Sequence, residues 1–198
     1  MAVPESNATA ASLPDGIAGD LREAIDAATH ALDAITPGWT LRPCKDADTP
    51  FLDELYAASR WEELAPIPWP DEAKRAFLYE QSRLQADHYG RHYPGAALCV
   101  LECAGAPSGR LYLYASAGEF RLMDIVVSAP LRGRGYATAI IRALQDVART
   151  QSRSITLHVE PNNPVLRLYE RLGFRLIEDR GVYRFLGWSA GDQLNTAS

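Results

Sequence analysis

Cysteine is scarce: three residues in 198, Cys44, Cys99 and Cys103. An odd count this low gives no disulfide framework, and no histidines accompany them at metal-ligand spacing, so no metal is expected. Cys99 and Cys103 fall in an apolar, strand-like run that suits buried thiols. Long apolar runs are missing as well; none approaches the ~18 residues of a membrane span. Residues 1–15 are small, polar and proline-containing, unlike a signal peptide. A cytoplasmic protein with no membrane partner is the default expectation. Positive charge is in deficit, with 20 Lys and Arg against 25 Asp and Glu for a net charge of -5. That balance argues against nucleic acid as a partner and is mildly permissive for cationic amines. Apolar residues make up 47% of the chain, which suffices for a packed core in one domain with a small extension.

Against this plain background, residues 132–137 read Arg-Gly-Arg-Gly-Tyr-Ala. They follow the β-branched stretch Asp124-Ile125-Val126-Val127 and precede an apolar-periodic run over 137–147, which makes them a strand–loop–helix junction. Glycines let a backbone approach a ligand closely. The unpaired N–H groups of the new helix point into the same space, and Arg132 and Arg134 add cationic donors suited to phosphate. The junction is built to hold a diphosphate. A P-loop is excluded, since no Gly-Lys-Ser/Thr stands at the required positions; the dinucleotide fingerprint fits only in Gly133 and Gly135, because position 138 is Thr. The pattern that fits is R-x-x-G-x-A, met by Arg132, Gly135 and Ala137.

A second segment, residues 155–174, reads as a strand, then Asn162, a helix bearing Tyr169, and Leu172-Gly173-Phe174 entering another strand. Gly173 stands where a helix C-terminus wants a left-handed residue. Together the two motifs resemble the GNAT superfamily of acetyl-CoA-dependent N-acetyltransferases, over roughly residues 39–188. The resemblance implies an α/β fold: a mixed, mostly antiparallel sheet splayed between strands 4 and 5, with helices on both faces. Acetyl-CoA would be the cosubstrate, with no metal. Its diphosphate would lie on Arg132, Gly133, Arg134, Gly135, Tyr136 and Ala137, and its pantetheine along the strand edge at Ile125, Val126 and Val127. Asn162 would contact the pantetheine amides; as a reading of the residue alone, it is also a good helix-start cap. Tyr169 would protonate the leaving thiolate, although an aromatic there could equally fill the core. Transfer would be direct, without an acyl-enzyme.

The base is open between His158 and Asp124. Some superfamily members that acetylate protein N-termini carry a histidine in a Leu-His-Val run like 157–159, though the spacing to Asn162 here differs by one residue. An unperturbed value near 6.5 suits His for the task. Asp124 lies in a strand expected to be covered on both faces, so it is either a base or half of an ion pair with Arg110 or Arg121. Glu119 and Glu160 are weaker acids of the same kind. Superfamily enzymes often place the base where Arg121 stands here, and an arginine cannot serve. Trp61, Trp69, Tyr89 and Tyr93 either wall a pocket for the acceptor or pack the helices on the sheet.

The chain divides into an N-terminal extension (1–38), the N-acetyltransferase domain (39–188) and a polar tail (189–198). Residues 1–14 read as disordered, and 15–35 as an amphipathic helix outside the family core, with apolar residues at three- and four-residue steps. Helices follow over 47–59 and 71–88, and strands over 39–43, 96–103, 110–115 and 119–127. Residues 105–109, Gly-Ala-Pro-Ser-Gly, read as a turn. Then come the loop and its helix to 150, a strand over 154–160, the Tyr169 helix, and strands over 174–179 and 183–188. The expected function is N-acetyl transfer to a primary amine of a small molecule, peptide or protein lysine, by a monomer or homodimer. Rival readings are an acyl-CoA sensor on the same fold and an interaction module built on the 15–35 helix.

Overall fold

A computed structural model describes residues 15–191; the unstructured start expected over 1–14 and the last seven residues of the polar tail lie outside the described residues. Helix α1 (Asp15–Asp33) comes first, then strand β1 (Trp39–Pro43), α2 (Thr49–Arg60), α3 (Asp71–His92) and the meander β2 (Ala97–Cys103), β3 (Ala106–Ala115), β4 (Glu119–Val127). After it come α4 (Tyr136–Thr150), β5 (Ser154–Val159), the short α5 (Leu166–Arg171), β6 (Arg175–Asp179) and β7 (Arg184–Trp188). The strands form one sheet in the order β1-β2-β3-β4-β5-β7-β6, antiparallel throughout except for the β4–β5 pair. This is the mixed, mostly antiparallel sheet that the sequence implies.

Side chains alternate across the strands. Leu111 and Leu113 of β3 point into the main core with Ile140, Ile141 and Leu144 of α4. Arg110 and Tyr112 point to the opposite face, where Arg110 stacks on Tyr56 of α2 and donates to Gln85 of α3. Helices α1 and α4 therefore cover one face, and α2 and α3 the other. The α1 stripe Leu21, Ala24, Ala28 and Leu32 is buried in the same core as α4. Its ends are tied to α4 and beyond: Arg153 pairs with Asp20, Gln151 donates to Glu23, and the Thr36 and Tyr136 hydroxyls bond at 2.9 Å.

Two local details depart from the sequence reading. The β2–β3 turn is not the glycine- and proline-bearing run 105–109. It is the pair Ala104-Gly105, both with positive φ (51° and 78°), so Cys103 faces Ala106 and the strand starts four residues early. Positive φ at both central positions matches the twist of a two-residue hairpin, which overrides the turn-like composition that follows. Helix α3 also runs on to His92, a full turn past the expected end.

Candidate active site

The diphosphate-type loop is formed by backbone first. Gly133 and Gly135 both adopt left-handed conformations (φ 76° and 88°), and Gly135 is the residue before the first turn of α4. The first intrahelical bond is donated by Ala139 to the Gly135 carbonyl, so the amides of 136–138 have no acceptor inside the helix. A side-chain carbon placed at either glycine would meet nothing within 4 Å, so the loop opens to free space. Arg134 is exposed and has no partner among the described residues. Arg132 donates from Nε to the Val127 carbonyl at 3.0 Å, which ties the loop to the end of β4. Tyr136 is turned inward: its ring lies 4.7 Å from Trp39 and its hydroxyl reaches Thr36, so only its backbone faces the loop. Ala137 is half-buried beside it.

The splay is equally clear. Strands β4 and β5 pair only from Glu119–Ser154 to Leu122–Leu157. Beyond that point Ile125, Val126 and Val127 have β3 on one side and no strand on the other. The split begins at a bulge: Tyr112 faces Asp124 while Leu113 faces Leu122, leaving Met123 as the extra residue. The bulge returns Asp124 to the face carrying Arg110 and Tyr112. The Met123 carbonyl accepts from the Tyr89 hydroxyl of α3 at 3.3 Å.

Asp124 accepts a 2.5 Å hydrogen bond from Arg110, which is 3% exposed and stacked between the rings of Tyr56 and Tyr112. Of the two arginines that could pair with Asp124, the structure selects Arg110; Arg121 pairs with Glu119 at 2.9 Å. Tyr169 of α5 is buried edge-to-face against Phe174. Its hydroxyl bonds to no described residue, which leaves its proton free to donate. Burial, and secondarily the charge of Asp124, pushes its phenol above the usual range. The Asp124 charge also reaches Tyr89, whose phenol is likewise raised, chiefly by burial. Tyr169, Asp124, Tyr89 and Arg110 thus form one electrostatic group.

His158 stands apart from it. It sits one residue past the last β4–β5 pair, stacked on Phe185 at 4.9 Å, with Arg180 3.3 Å from Nε2. Partial burial, then Arg121 and Arg180, lowers its pKa below the usual 6.5. Asn162 is exposed and caps nothing; its neighbour Asn163 closes the turn before α5, its Oδ1 accepting from Val165 N at 3.0 Å. Asn162 is left to face outward. The weaker acids are engaged, Glu119 with Thr156 and Arg121, Glu160 with Arg60 at 2.8 Å. Trp69 is 46% exposed, while Trp61 packs with Tyr56 of α2 and Leu78 of α3. Tyr89 and Tyr93 stack edge-on against Tyr112 and Tyr114 of the sheet. Among the described residues no cluster of His, Cys, Asp and Glu could hold a metal, and no helix is long and apolar enough to cross a membrane.

Gln85 and the Tyr89–Met123 contact were not legible as site features, whereas Arg110 was legible only as one of two possible partners of Asp124. Arg110 lies in an Arg-Leu-Tyr-Leu-Tyr alternation, and the covering helices α2 and α3 make it buried.

A parallel strand pair that opens at a bulge, beside a left-handed glycine loop heading a helix, defines an α/β fold with a splayed mixed sheet. The model of the acetyltransferase (GNAT) family matches residues 55–174, more than half of the chain, and the chain belongs to that family. Solved structures agree on the fold. The PaiA N-acetyltransferase of Thermoplasma acidophilum, solved in complex with coenzyme A, superposes with a TM-score of 0.58 at 14% identity, covering 77% of this chain and 99% of its own. An acetyltransferase of Thermus thermophilus gives 0.56 at 16%, covering 77% and 97%. Arabidopsis thaliana Naa50, in complex with the bisubstrate analogue CoA-Ac-MVNAL, gives 0.50 at 18%, covering 77% and 99%. No curated protein sequence matches the chain.

Proposed function

We propose that this acetyltransferase moves the acetyl group of acetyl-CoA to a primary amine by direct attack in a ternary complex. The observation that carries the reading is the opening of β4 from β5 at Met123, beside the empty-sided glycines of the loop. The residues present fit acetyl-CoA. The amides of 136–138 and the free Arg134 suit the diphosphate, the unpaired β4 edge at 125–127 suits the pantetheine amides, and exposed Asn162 is free to contact them. Acetyl-CoA supplies an activated acyl carbon.

The chain's own residues then manage protons. Tyr169 keeps its proton at neutral pH, because burial and the Asp124 carboxylate both oppose ionisation, and its unpartnered hydroxyl donates to the leaving sulfur. His158, held neutral by its surroundings at the mouth of the splay, takes the amine proton through water. Asp124, committed to Arg110, acts as a positioning residue rather than as the base. The acceptor enters on the face of α2 and α3, past Tyr89.

Thiol release from acetyl-CoA tests the reading, with panels of small amines, free peptide N-termini and lysine peptides as acceptors. Amine-dependent release in at least one panel is expected. Tight acetyl-CoA binding with no amine-dependent release in any panel would overturn the enzyme reading in favour of an acyl-CoA sensor.

A further inference from the structure

Arg110 has more donors than its partners use. It is 3% exposed, with its guanidinium held between the rings of Tyr56 and Tyr112, so only its in-plane N–H groups are left to bond. Its hydrogen bonds leave from Nη2, to Asp124 Oδ2 at 2.5 Å and to Gln85 Oε1 at 3.1 Å. Nε is sealed in the interior with no partner among the described residues. A charged donor left unmet there is costly, and marks where a group from outside would be taken up. Asp124 is also half spent. Its Oδ2 takes the arginine, its Oδ1 accepts from no described residue, and its side chain stays 17% exposed. Burial, and after it the Asp124 charge, raises the Tyr169 phenol, so the pair lies near the group assigned to the leaving sulfur. Tyr56 of α2 and Tyr89 of α3 flank the pair. Both phenols are raised, chiefly by burial, and Tyr183 of the β6–β7 turn acts on each, so three tyrosines gather around it.

We propose that the acceptor is a free α-amino acid with an aromatic or large apolar side chain, its amine on Asp124, its carboxylate on Arg110, and its side chain among Tyr56, Tyr89 and Tyr183. The inference rests on the reading of the chain as an N-acetyltransferase and names the acceptor class. Asp124 and Arg110 touch each other, so a ligand that answers both carries its amine and its anion on neighbouring atoms. An α-amino acid holds them on one carbon. A lysine side chain does not, because a long alkyl stem parts its amine from the backbone. A peptide N-terminus offers a neutral carbonyl where the carboxylate would be, and a simple amine offers nothing to Nε. The carboxylate meets Nε in a charge-assisted bond, and because Nε is sealed, the side chains over it shift as the carboxylate enters. Asp124 Oδ1 accepts one N–H of the neutral amine and orients its lone pair. The N–C bond forms as the C–S bond breaks; one amine proton leaves by way of His158, and the Tyr169 proton goes to sulfur. The products are an Nα-acetyl amino acid and CoA. The tyrosine rings supply faces and edges for the side chain.

Thiol release from acetyl-CoA tests this with the L-amino acids, each beside its α-amide, and with phenethylamine and tyramine beside phenylalanine and tyrosine. Values of kcat/KM are corrected for the fraction of neutral amine at the assay pH. An aromatic or large apolar amino acid is expected to exceed its amide and its decarboxylated amine by about tenfold or more, the scale of one charge-assisted contact. Arg110→Lys keeps a positive charge beside Asp124 but removes the planar fork, and should lose most of that preference through KM. The wild-type series decides even if this variant fails to fold. Amides or decarboxylated amines that match their amino acids, or a preference kept whole in folded Arg110→Lys, overturn the inference and leave the N-acetyltransferase reading standing. So does release confined to lysine peptides, to peptide N-termini or to small and polar amino acids. No release with any acceptor overturns both.

Discussion

Tyr169 combines three properties in one side chain: burial of the ring, a raised phenol and a hydroxyl with no partner among the described residues. Tyr169→Phe keeps the ring against Phe174 and deletes only the proton donor. Turnover is expected to fall roughly 10²–10⁴-fold, the usual worth of general acid catalysis, with CoA affinity nearly intact. Steady-state rates beside calorimetry check this, and wild-type turnover in the Phe variant would remove Tyr169 from the mechanism. His158 gives a pH signature instead. Its pKa is lowered, so protonation disables it only at pH below the usual 6.5, and the acid limb of kcat/KM falls there. His158→Ala should be slower near neutrality, lose that limb, and recover partly as rising pH neutralises the amine itself. Profiles over about pH 5 to 9 decide between the two variants' behaviour. At this scale the sequence names Tyr169, His158 and Asp124 by type, but it could not say which partner Asp124 takes. Arg110 and Arg121 are both within strand reach, and only the bulge at Met123, which shifts the register by one, sets Asp124 opposite Tyr112, on the face from which buried Arg110 reaches it.

At the scale of the element, the loop and α4 act together. Arg134 is the unencumbered cation, so Arg134→Ala should weaken CoA binding by about 1.5–3 kcal/mol, the worth of a charged hydrogen bond. Gly135→Val tests the backbone rather than the charge. A left-handed φ of 88° costs a side-chain-bearing residue about 1–2 kcal/mol, and the added carbon meets nothing in the protein. The variant should therefore fold, with a slightly lower melting temperature, and lose CoA binding because the valine occupies the approach to the amides. Calorimetry and circular dichroism on the same samples check both halves. The strand–loop–helix character of this element is legible because its glycines and the β-branched run before it carry local signals. The β2–β3 hairpin is less so: Ala104 holds a left-handed conformation that nothing in its neighbours announces, whereas Pro107 and Gly109 look like a turn and lie in a strand.

For the whole molecule, the first strand is locked by charge. Arg42 forks onto both oxygens of Asp48 at 2.7 Å and reaches Glu102 on β2 with its Nε, joining β1, β2 and the head of α2. The Arg42 guanidinium, helped by the Lys45 amide, depresses the Asp48 carboxyl to about 2. A carboxyl with a folded value below its unfolded one adds stability that is full above the unfolded value and is lost as pH falls through the folded one. Acid should therefore erode stability between the usual carboxylate range and about pH 2. Asp48→Asn, less stable at neutral pH, should show a flatter decline over that interval in urea midpoints. The order of strands and helices at this scale follows from periodicity and the two motifs. The place of α1 does not, because its apolar stripe is equally suited to a flank, a partner or the main core. Burial of Ala24, Ala28 and Leu32 settles which surface it covers.

The bonds that seat α1 join residues far apart in the chain, 100 positions for Thr36 to Tyr136 and 133 for Asp20 to Arg153. Helix α1, made long before α4, is thus among the last of the described helices to find its berth. At synthesis rates of roughly 5–20 residues per second, its apolar stripe waits on the order of ten seconds for α4 to emerge. Over that interval Leu21 and Leu32 face solvent or a chaperone. The vulnerable moment in the life of this protein falls during its translation, before any cofactor has a loop to meet.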